Sequence, residues 1–562
     1  MDTVTQVNPP AASAPAAMSG SELLGKALKH HGTEVIFCLM GGPMHDAMRT
    51  AMAEGIRCFD VRHEQAAAMM ATAYARVLNR PGVCMACSGP GVMNLVTGVG
   101  QANADCTPLL VLGGAYPVSQ HAKGAFQELD QVALMRPITK WAERIYDTHR
   151  IPEIVATALR VATSGKPGPV YLDFPGDVLA NTVDDSKLRW GAPHCERVPE
   201  RSCADPASIE RVLALLDGAK KPLVLSGTGI FWSDAASELQ AWCERAGIPF
   251  YTTPQGRGAI PEDHPLFFPH ARSTAFKEAD FILIVGTRMN YVSSFVAPPR
   301  FSAKARRVRI DIDPAEISIS RGLDVGITAD AKTALTQLLD AAPPNLSAQF
   351  EDWRKRLAEI EHNKKDSSAT KLNSNEEPIH PLRLCREIRD FLDRDAILAV
   401  DGKDILDFGR QSIPTFVARH RLNSGTMGTM GVGLPYGIGA KVARPDKQVL
   451  VLHGDGSFGL NAMEIDTAVR HKVGVIVVIS LNGGWCGDPN KTRPGRDLGY
   501  TRFDKMAESL GCHGEFVEKP SDIRPALERA AKIAKTGQPA LVNVLTDWRA
   551  VSGGGNFAFY ST

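Results

Sequence analysis

The stretch Gly474-Val475-Ile476-Val477-Val478-Ile479-Ser480-Leu481 carries no charge and almost no polarity. A strand with one wet face alternates polar and apolar residues. One that is apolar throughout is covered on both faces, as in the middle of a parallel sheet sandwiched by helices. Comparable runs recur in three blocks, with helical patterns between them. The first block, from about residue 21 to 179, places strands near 35–39, 83–86, 109–113 and 170–174. The second follows the polar stretch ERVPERSCADP and has runs at 222–226, 281–286 and 308–313. The third starts at Pro378, with runs at 397–401, 449–452, 475–481 and 540–544. The alternation predicts an α/β chain of three doubly wound parallel-sheet domains. A length of 562 residues suits that number at ~150 residues per domain. The expected boundaries are a disordered lead at 1–18, domains at 19–190, 200–345 and 378–547, a charged linker at 346–377, and a flexible glycine-rich tail at 548–562.

Composition narrows the partners. A net charge of +1 with 22% charged residues gives no basic excess for nucleic acid or a membrane surface. No apolar run approaches the ~20 residues of a membrane span. The start, MDTVTQVNPPAASAPAAMSG, lacks a signal-peptide layout, and the end, FAFYST, is no peroxisomal address. Eleven cysteines, scattered through apolar runs, fit a reducing, cytoplasmic setting. Cys84 and Cys87 form a C-x-x-C, but with no second pair it reads as a strand running into a glycine turn.

The third block carries the clearest chemistry. The run at 449–452 leads into His453-Gly454-Asp455-Gly456-Ser457, and the strand at 475–481 ends in Asn482-Gly483-Gly484. Asp455 and Asn482 therefore stand at the C-terminal ends of two strands of one sheet, where α/β proteins bind ligands. A glycine turn at a helix start suits phosphate. A carboxylate and an amide oxygen side by side suit Mg²⁺, which shares its shell with phosphates.

GDG followed by NGG resembles the signature of thiamine-diphosphate enzymes, and further motifs extend the resemblance to their acetolactate-synthase-like group. Asp60-Val61-Arg62-His63-Glu64-Gln65-Ala66-Ala67 supplies a glutamate setting, Ser88-Gly89-Pro90-Gly91 with Asn94 a glycine turn, and Ala125-Phe126-Gln127-Glu128-Leu129-Asp130 an AFQE segment. The stretch from Gly428 to Ala440, GTMGVGLPYGIGA, precedes GDG. The resemblance implies pyrimidine-binding, central and diphosphate-binding domains in that order. It assigns thiamine diphosphate and Mg²⁺ as cofactors, with Asp455, Asn482 and Gly484 on the metal and Gly454, Gly456 and Ser457 beside the diphosphate. Met430 would support the bent cofactor, the Gly428 carbonyl would accept from its 4′-amine, and Glu64 would share a proton with N1′. Glu64 and the diphosphate site fall in different domains and are paired between subunits in the group, which implies a homodimer or homotetramer.

Substrate is less constrained. Phe126-Gln127 resembles synthases and lyases more than oxalyl-CoA decarboxylases. Trp485-Cys486-Gly487-Asp488 replaces the Ile-Tyr that CoA enzymes often carry after the metal turn. The tail DWRAVSGGGNFAFYST resembles the lid of the 2-hydroxyacyl-CoA lyase and oxalyl-CoA decarboxylase branch, with Phe557, Phe559 and Tyr560 able to exclude water. Arg419 and Arg421 are candidates for CoA phosphates. The resemblance favours a lyase that splits a 2-hydroxyacyl-CoA into formyl-CoA and an aldehyde or ketone, or runs in reverse. An acetolactate-synthase-like carboligase on 2-oxo acids and an oxalyl-CoA decarboxylase are the alternatives. Gln127, Glu128, His121 and Asp488 are candidates for the base that takes the substrate hydroxyl proton. In the central domain, Ser226-Gly227-Thr228-Gly229 and Asp311-Ile312-Asp313-Pro314 fit ADP or no ligand.

Overall fold

The computed structural model describes residues 17–553 apart from 185, 187, 197–199, 320–321, 365–368, 486–489 and 491. Three parallel sheets are flanked by helices. The first runs in the order Arg57–Asp60, Val35–Cys38, Gly82–Ala86, Leu109–Ala115, Val170–Pro175, Trp141–Arg144. The third repeats that order of connection with Arg421–Leu422, Ile397–Asp401, Val449–Gly454, Ile476–Leu481, Ala540–Leu545 and His513–Val517. Between them in sequence lies a five-stranded sheet, Phe250–Thr252, Pro222–Ser226, Phe281–Val285, Arg306–Asp311, Val325–Thr328. Within the segment expected as a lead, Ala17 and Met18 belong to strand Ala17–Ser19, which pairs antiparallel with Thr182–Asp184.

The first and third units share one apolar core. Its centre is the crossing of helix α1 (Glu64–Leu78) with helix α3 (Gly433–Ala443). The α1 sequence EQAAAMMATAYARVL is rich in small residues, so backbones approach closely there. A Cβ on Gly439 would sit 2.3 Å from the Met70 carbonyl oxygen. On another side of α1, helix α2 (Pro90–Ala104) uses Gly98 in the same way, where a Cβ would be 2.6 Å from that of Ala68.

The segment expected as a linker contributes to the middle unit. Helix Glu351–Lys364 buries Trp353 and Leu357 against Leu223, Tyr251 and Ile282, and the Trp353 indole donates to the Pro222 carbonyl at 3.1 Å. Its charged majority hides a short apolar stripe, Trp353, Leu357 and Ile360, at helical spacing.

Candidate active site

Strand Val449–Gly454 stops at Gly454, and a short helix, Asp455–Gly459, starts directly behind it. Its neighbour Ile476–Leu481 runs in register, Gly454 opposite Ser480, so Asn482 emerges beside Asp455. The terminal amide atom of Asn482 lies 3.0 Å from Asp455 Oδ1 and 2.9 Å from the Gly484 carbonyl oxygen. With its nitrogen on that side the amide donates to both; with its oxygen there, three oxygens converge. Ligands at ~2.1 Å and right angles about one Mg²⁺ are roughly 3.0 Å apart, so the spacing fits one face of such a shell.

Asp455 itself points to a cation. The residue is 4% exposed, its Oδ1 accepts the Gly456 N–H at 3.0 Å, and its Oδ2 has no partner. Burial pushes its carboxyl up to about 7, against the pull of the Gly456, Gly483 and Gly484 amides. A divalent ion would reverse that push. No cluster of three or more His, Cys, Asp or Glu that could hold a metal occurs among the described residues; this site would rest on one carboxylate, an amide and a carbonyl. Gly456 is required sterically, since a Cβ there would lie 2.9 Å from the Trp485 ring.

Beneath the loop lies a pair that sequence reasoning missed. His453 is fully buried, held at Nδ1 by Ser457 Oγ at 3.1 Å, and burial lowers it to about 3. Its Nδ1 is 3.7 Å from Asp401 Oδ2. Asp401 ends strand Ile397–Asp401 and accepts the Gly433 N–H at 2.9 Å, at the start of α3. Ser457 Oγ also donates to the Gly454 carbonyl at 3.0 Å, which fixes the loop from inside.

Glu64 opens α1, 5% exposed, and accepts from Asn94 Nδ2 at 2.9 Å. The glycine turn packs beside it: a Cβ on Gly91 would be 3.3 Å from Glu64 Oε1. Gln127 adopts a left-handed φ of 58°, its carbonyl accepts from Ser88 Oγ at 3.4 Å, and its Cβ abuts Gly89. Phe126 is 85% exposed. Glu128 accepts the backbone N–H groups of Ala122, Ala125 and Gly124, which hold its carboxyl below its ordinary value and commit it to closing its own loop. His121 Nδ1 lies 2.7 Å from the Tyr116 hydroxyl. Within one chain no hydrogen bond or ion pair joins Glu64 to Asp455 among the described residues.

Gly428, with φ 66° and open space where a Cβ would be, and Met430 line a cleft of about 2010 Å³ that reaches the middle unit. The segment just before them is tied to all three units. Asp105, at the end of α2, accepts from Gln101 Nε2 at 2.6 Å, Gln255 Nε2 at 3.0 Å and the Thr426 N–H at 3.3 Å. Tyr291 donates to the Thr426 carbonyl at 2.6 Å, and Arg288 donates to Ala104 and Thr426. Thr228, Gly229, Asp311 and Ile312 line the same cleft from the middle sheet.

The two candidate arginines part company. Arg419 turns to the middle unit, bonding the Phe231 carbonyl and Asp234, each at 2.9 Å. Arg421 is 2% exposed, touches the Ile413 carbonyl at 3.3 Å and does not face the cleft. Arg272, which the sequence did not single out, lines the cleft and is solvent-accessible there. Protein crowds it on most sides; that desolvation, with Arg300, Arg257 and Arg410 nearby, brings its guanidinium down to about 10. The guanidinium lies over the Phe276 ring, 5.7 Å from its centre. Ser552 is pinned to Asp404 by 2.7 Å and 3.1 Å bonds, and Gly553 reaches the cleft. Cys486, Asp488, Phe557, Phe559 and Tyr560 lie outside the described residues. The ten described cysteines are free, and no helix among the described residues is long and apolar enough to cross a membrane.

Comparison with known proteins gives the following. Residues 18–134 match the family described as thiamine pyrophosphate enzyme, N-terminal TPP binding domain. Residues 209–338 match its central domain and 408–544 its C-terminal TPP binding domain. An acetolactate synthase large subunit of Mycobacterium tuberculosis is 34% identical over 95% of this chain and 97% of its own length. A 2-hydroxyacyl-CoA lyase of Oryza sativa is 33% identical over 95% and 97%. An oxalyl-CoA decarboxylase of Escherichia coli is 31% identical over 94% and 95%.

Proposed function

Since the chain belongs to the thiamine pyrophosphate enzymes and acts on carbon–carbon bonds, we propose that its substrate is a 2-hydroxyacyl-CoA, cleaved to formyl-CoA and an aldehyde or ketone, or formed from them. The observation that carries this reading is the Arg272 guanidinium, accessible in the cleft lined also by Gly428 and Met430, with Arg300 over the same Phe276 ring; Arg257 and Arg410 line that cleft too but pair with Glu262 and Asp407. Two guanidinium groups, Arg272 and Arg300, in one partly desolvated cleft favour a polyanion over a small monoacid. The phosphates of a CoA tail have that charge.

Bound thiamine diphosphate supplies a nucleophilic carbon and an electron sink at its thiazolium ring. Asp455, Asn482 and the Gly484 carbonyl would hold Mg²⁺, and Gly454, Gly456 and Ser457 would lie beside the diphosphate at the start of the helix. Glu64, buried and steadied by Asn94, holds a proton at N1′ of the pyrimidine. Met430 would support the ring junction, and the Gly428 carbonyl would accept from the 4′-amine. Gln127 and Phe126 stand on the Glu64 side, where they would face the substrate, while Trp485 covers the metal turn.

The complete site is taken to be built from two copies, Glu64 from one and Asp455 from the other, as the resemblance implies. Exposed Phe126, Met93, Met427, Leu460 and Met463 supply apolar surface for such a dimer, or for a homotetramer made of two dimers. In the middle unit the Thr228–Gly229 turn and Asp311 would hold ADP or no ligand.

The acetolactate synthase relative favours a second reading, carboligation of 2-oxo acids. Holoenzyme incubated with formyl-CoA plus an aldehyde, with a 2-hydroxyacyl-CoA, with oxalyl-CoA and with pyruvate separates the readings. The proposal expects turnover of the first two. Turnover of pyruvate alone, or of oxalyl-CoA alone, overturns it.

A further inference from the structure

Glu464 belongs to the third unit, where it opens helix Glu464–Arg470, and it is 1% exposed. Its carboxylate reaches across to the first unit. It accepts the Arg62 N–H at 3.1 and 3.3 Å on its two oxygens and the His63 N–H at 3.1 Å. Within its own helix it accepts the Thr467 hydroxyl at 2.6 Å. The two amides it holds are those directly before Glu64. On the other flank, Gln65 Nε2 donates to Asn461 Oδ1 at 2.8 Å, and Asn461 Nδ2 donates to the Gly431 carbonyl at 2.8 Å, next to Met430. Glu64 is thus gripped on both sides by residues 461–464, the chain that leaves the Asp455 loop.

We propose that Glu464 is a positioning residue for Glu64: by holding the Arg62 and His63 amides it fixes the start of α1, from which the Glu64 carboxyl is aimed at N1′ of the cofactor. Three donors converge on it, and only a carboxylate offers two acceptor oxygens without a competing N–H. A glutamine keeps one of them and turns an N–H₂ toward a buried donor. Burial alone would favour the neutral acid and raises the Glu464 carboxyl; the three donors favour the charged form. A side chain this costly to keep ionised could serve only to join two units, so the test must separate positioning from adhesion.

The proposal rests on Glu64 as the N1′ partner, and the experiment checks that premise in its own arm. Full-length wild type, E464Q, E464A and E64A are titrated with Mg²⁺ and either thiamine diphosphate or its analogue with N1′ replaced by C–H, by calorimetry. The analogue cannot share a proton with Glu64. E64A should weaken thiamine diphosphate but not the analogue. E464A should weaken thiamine diphosphate about tenfold, as loss of an orienting partner does, and leave the analogue within about twofold, with E464Q between them. Equal weakening of both ligands by E464A, while E64A discriminates, overturns the positioning role and leaves an adhesive one. If E64A fails to discriminate, the N1′ reading of Glu64 falls first and the proposal with it. Should E464A not fold, E464Q decides by the same comparison. Faster hydrogen exchange at the Arg62 and His63 amides of cofactor-loaded E464Q is required as well, and unchanged exchange contradicts the proposal.

Discussion

Asp105 joins the three units, and replacing it by asparagine tests whether the junction is electrostatically loaded. The residue is 6% exposed, and burial raises its carboxyl from 3.8 to about 6, despite Arg76, Gln101 and the Thr426 amide. Between those values the folded chain binds a proton that the unfolded chain has released. Stability from this group is therefore lost as pH rises from about 4 to about 6, and the loss is complete above the folded value. About two pH units at ~1.4 kcal/mol per unit make ~3 kcal/mol. An amide cannot titrate, so D105N lacks this slope. The variant carries instead a constant penalty, because an amide nitrogen then faces the Gln101 or Gln255 donors. Urea denaturation of both proteins at pH 4.5 to 7.5 should show D105N less stable in acid and gaining on wild type by ~2 kcal/mol across that range, the part of the slope that lies above pH 4.5. Parallel curves across that range would refute the reasoning.

Two further outcomes follow from close contacts and charge. Gly439→Val puts a branched side chain where even a Cβ would be 2.3 Å from the Met70 carbonyl oxygen. It should destabilise by ~3 kcal/mol or more, seen as a lowered midpoint for the first and third units together. Removing the Arg272 guanidinium by R272A should cost about 1.5–3 kcal/mol of charge-assisted bonding, a rise of ~10- to 100-fold in KM for a CoA thioester. Thiamine diphosphate affinity should stay unchanged.

The interior strands were legible because they are buried on both faces. Pro222–Ser226 and Ile397–Asp401 match their expected runs end to end, and every other expected run overlaps an interior strand. The strands that periodicity missed are the sheet edges. Arg57–Asp60 reads RCFD, Trp141–Arg144 reads WAER and His513–Val517 reads HGEFV. One side of such a strand meets solvent, so short polar sequences serve and the apolar signal vanishes.

The site divides in a similar way. Asp455 and Asn482 were readable because each follows an apolar strand, and strand ends locate ligands in such sheets. Glu64 is proposed on resemblance alone, for locally it is one carboxylate at a helix start. Glu464, Asn461 and Asp105 carry no local mark, since their partners come from another unit. Arg421 shows the converse: an arginine in a polar stretch reads as surface charge, yet edge strand Arg421–Leu422 buries it. Glu128, a candidate base by type, is occupied by three backbone N–H groups.

The central claim is that Asp455 reaches the diphosphate through a metal. Calorimetric titration of thiamine diphosphate into wild type and Asp455→Ala, with and without Mg²⁺, tests it most directly. Wild type should bind tightly only with the cation, and D455A should bind at least ~100-fold more weakly with no response to it. Equal affinity of the two proteins, or wild-type binding indifferent to Mg²⁺, would contradict the account.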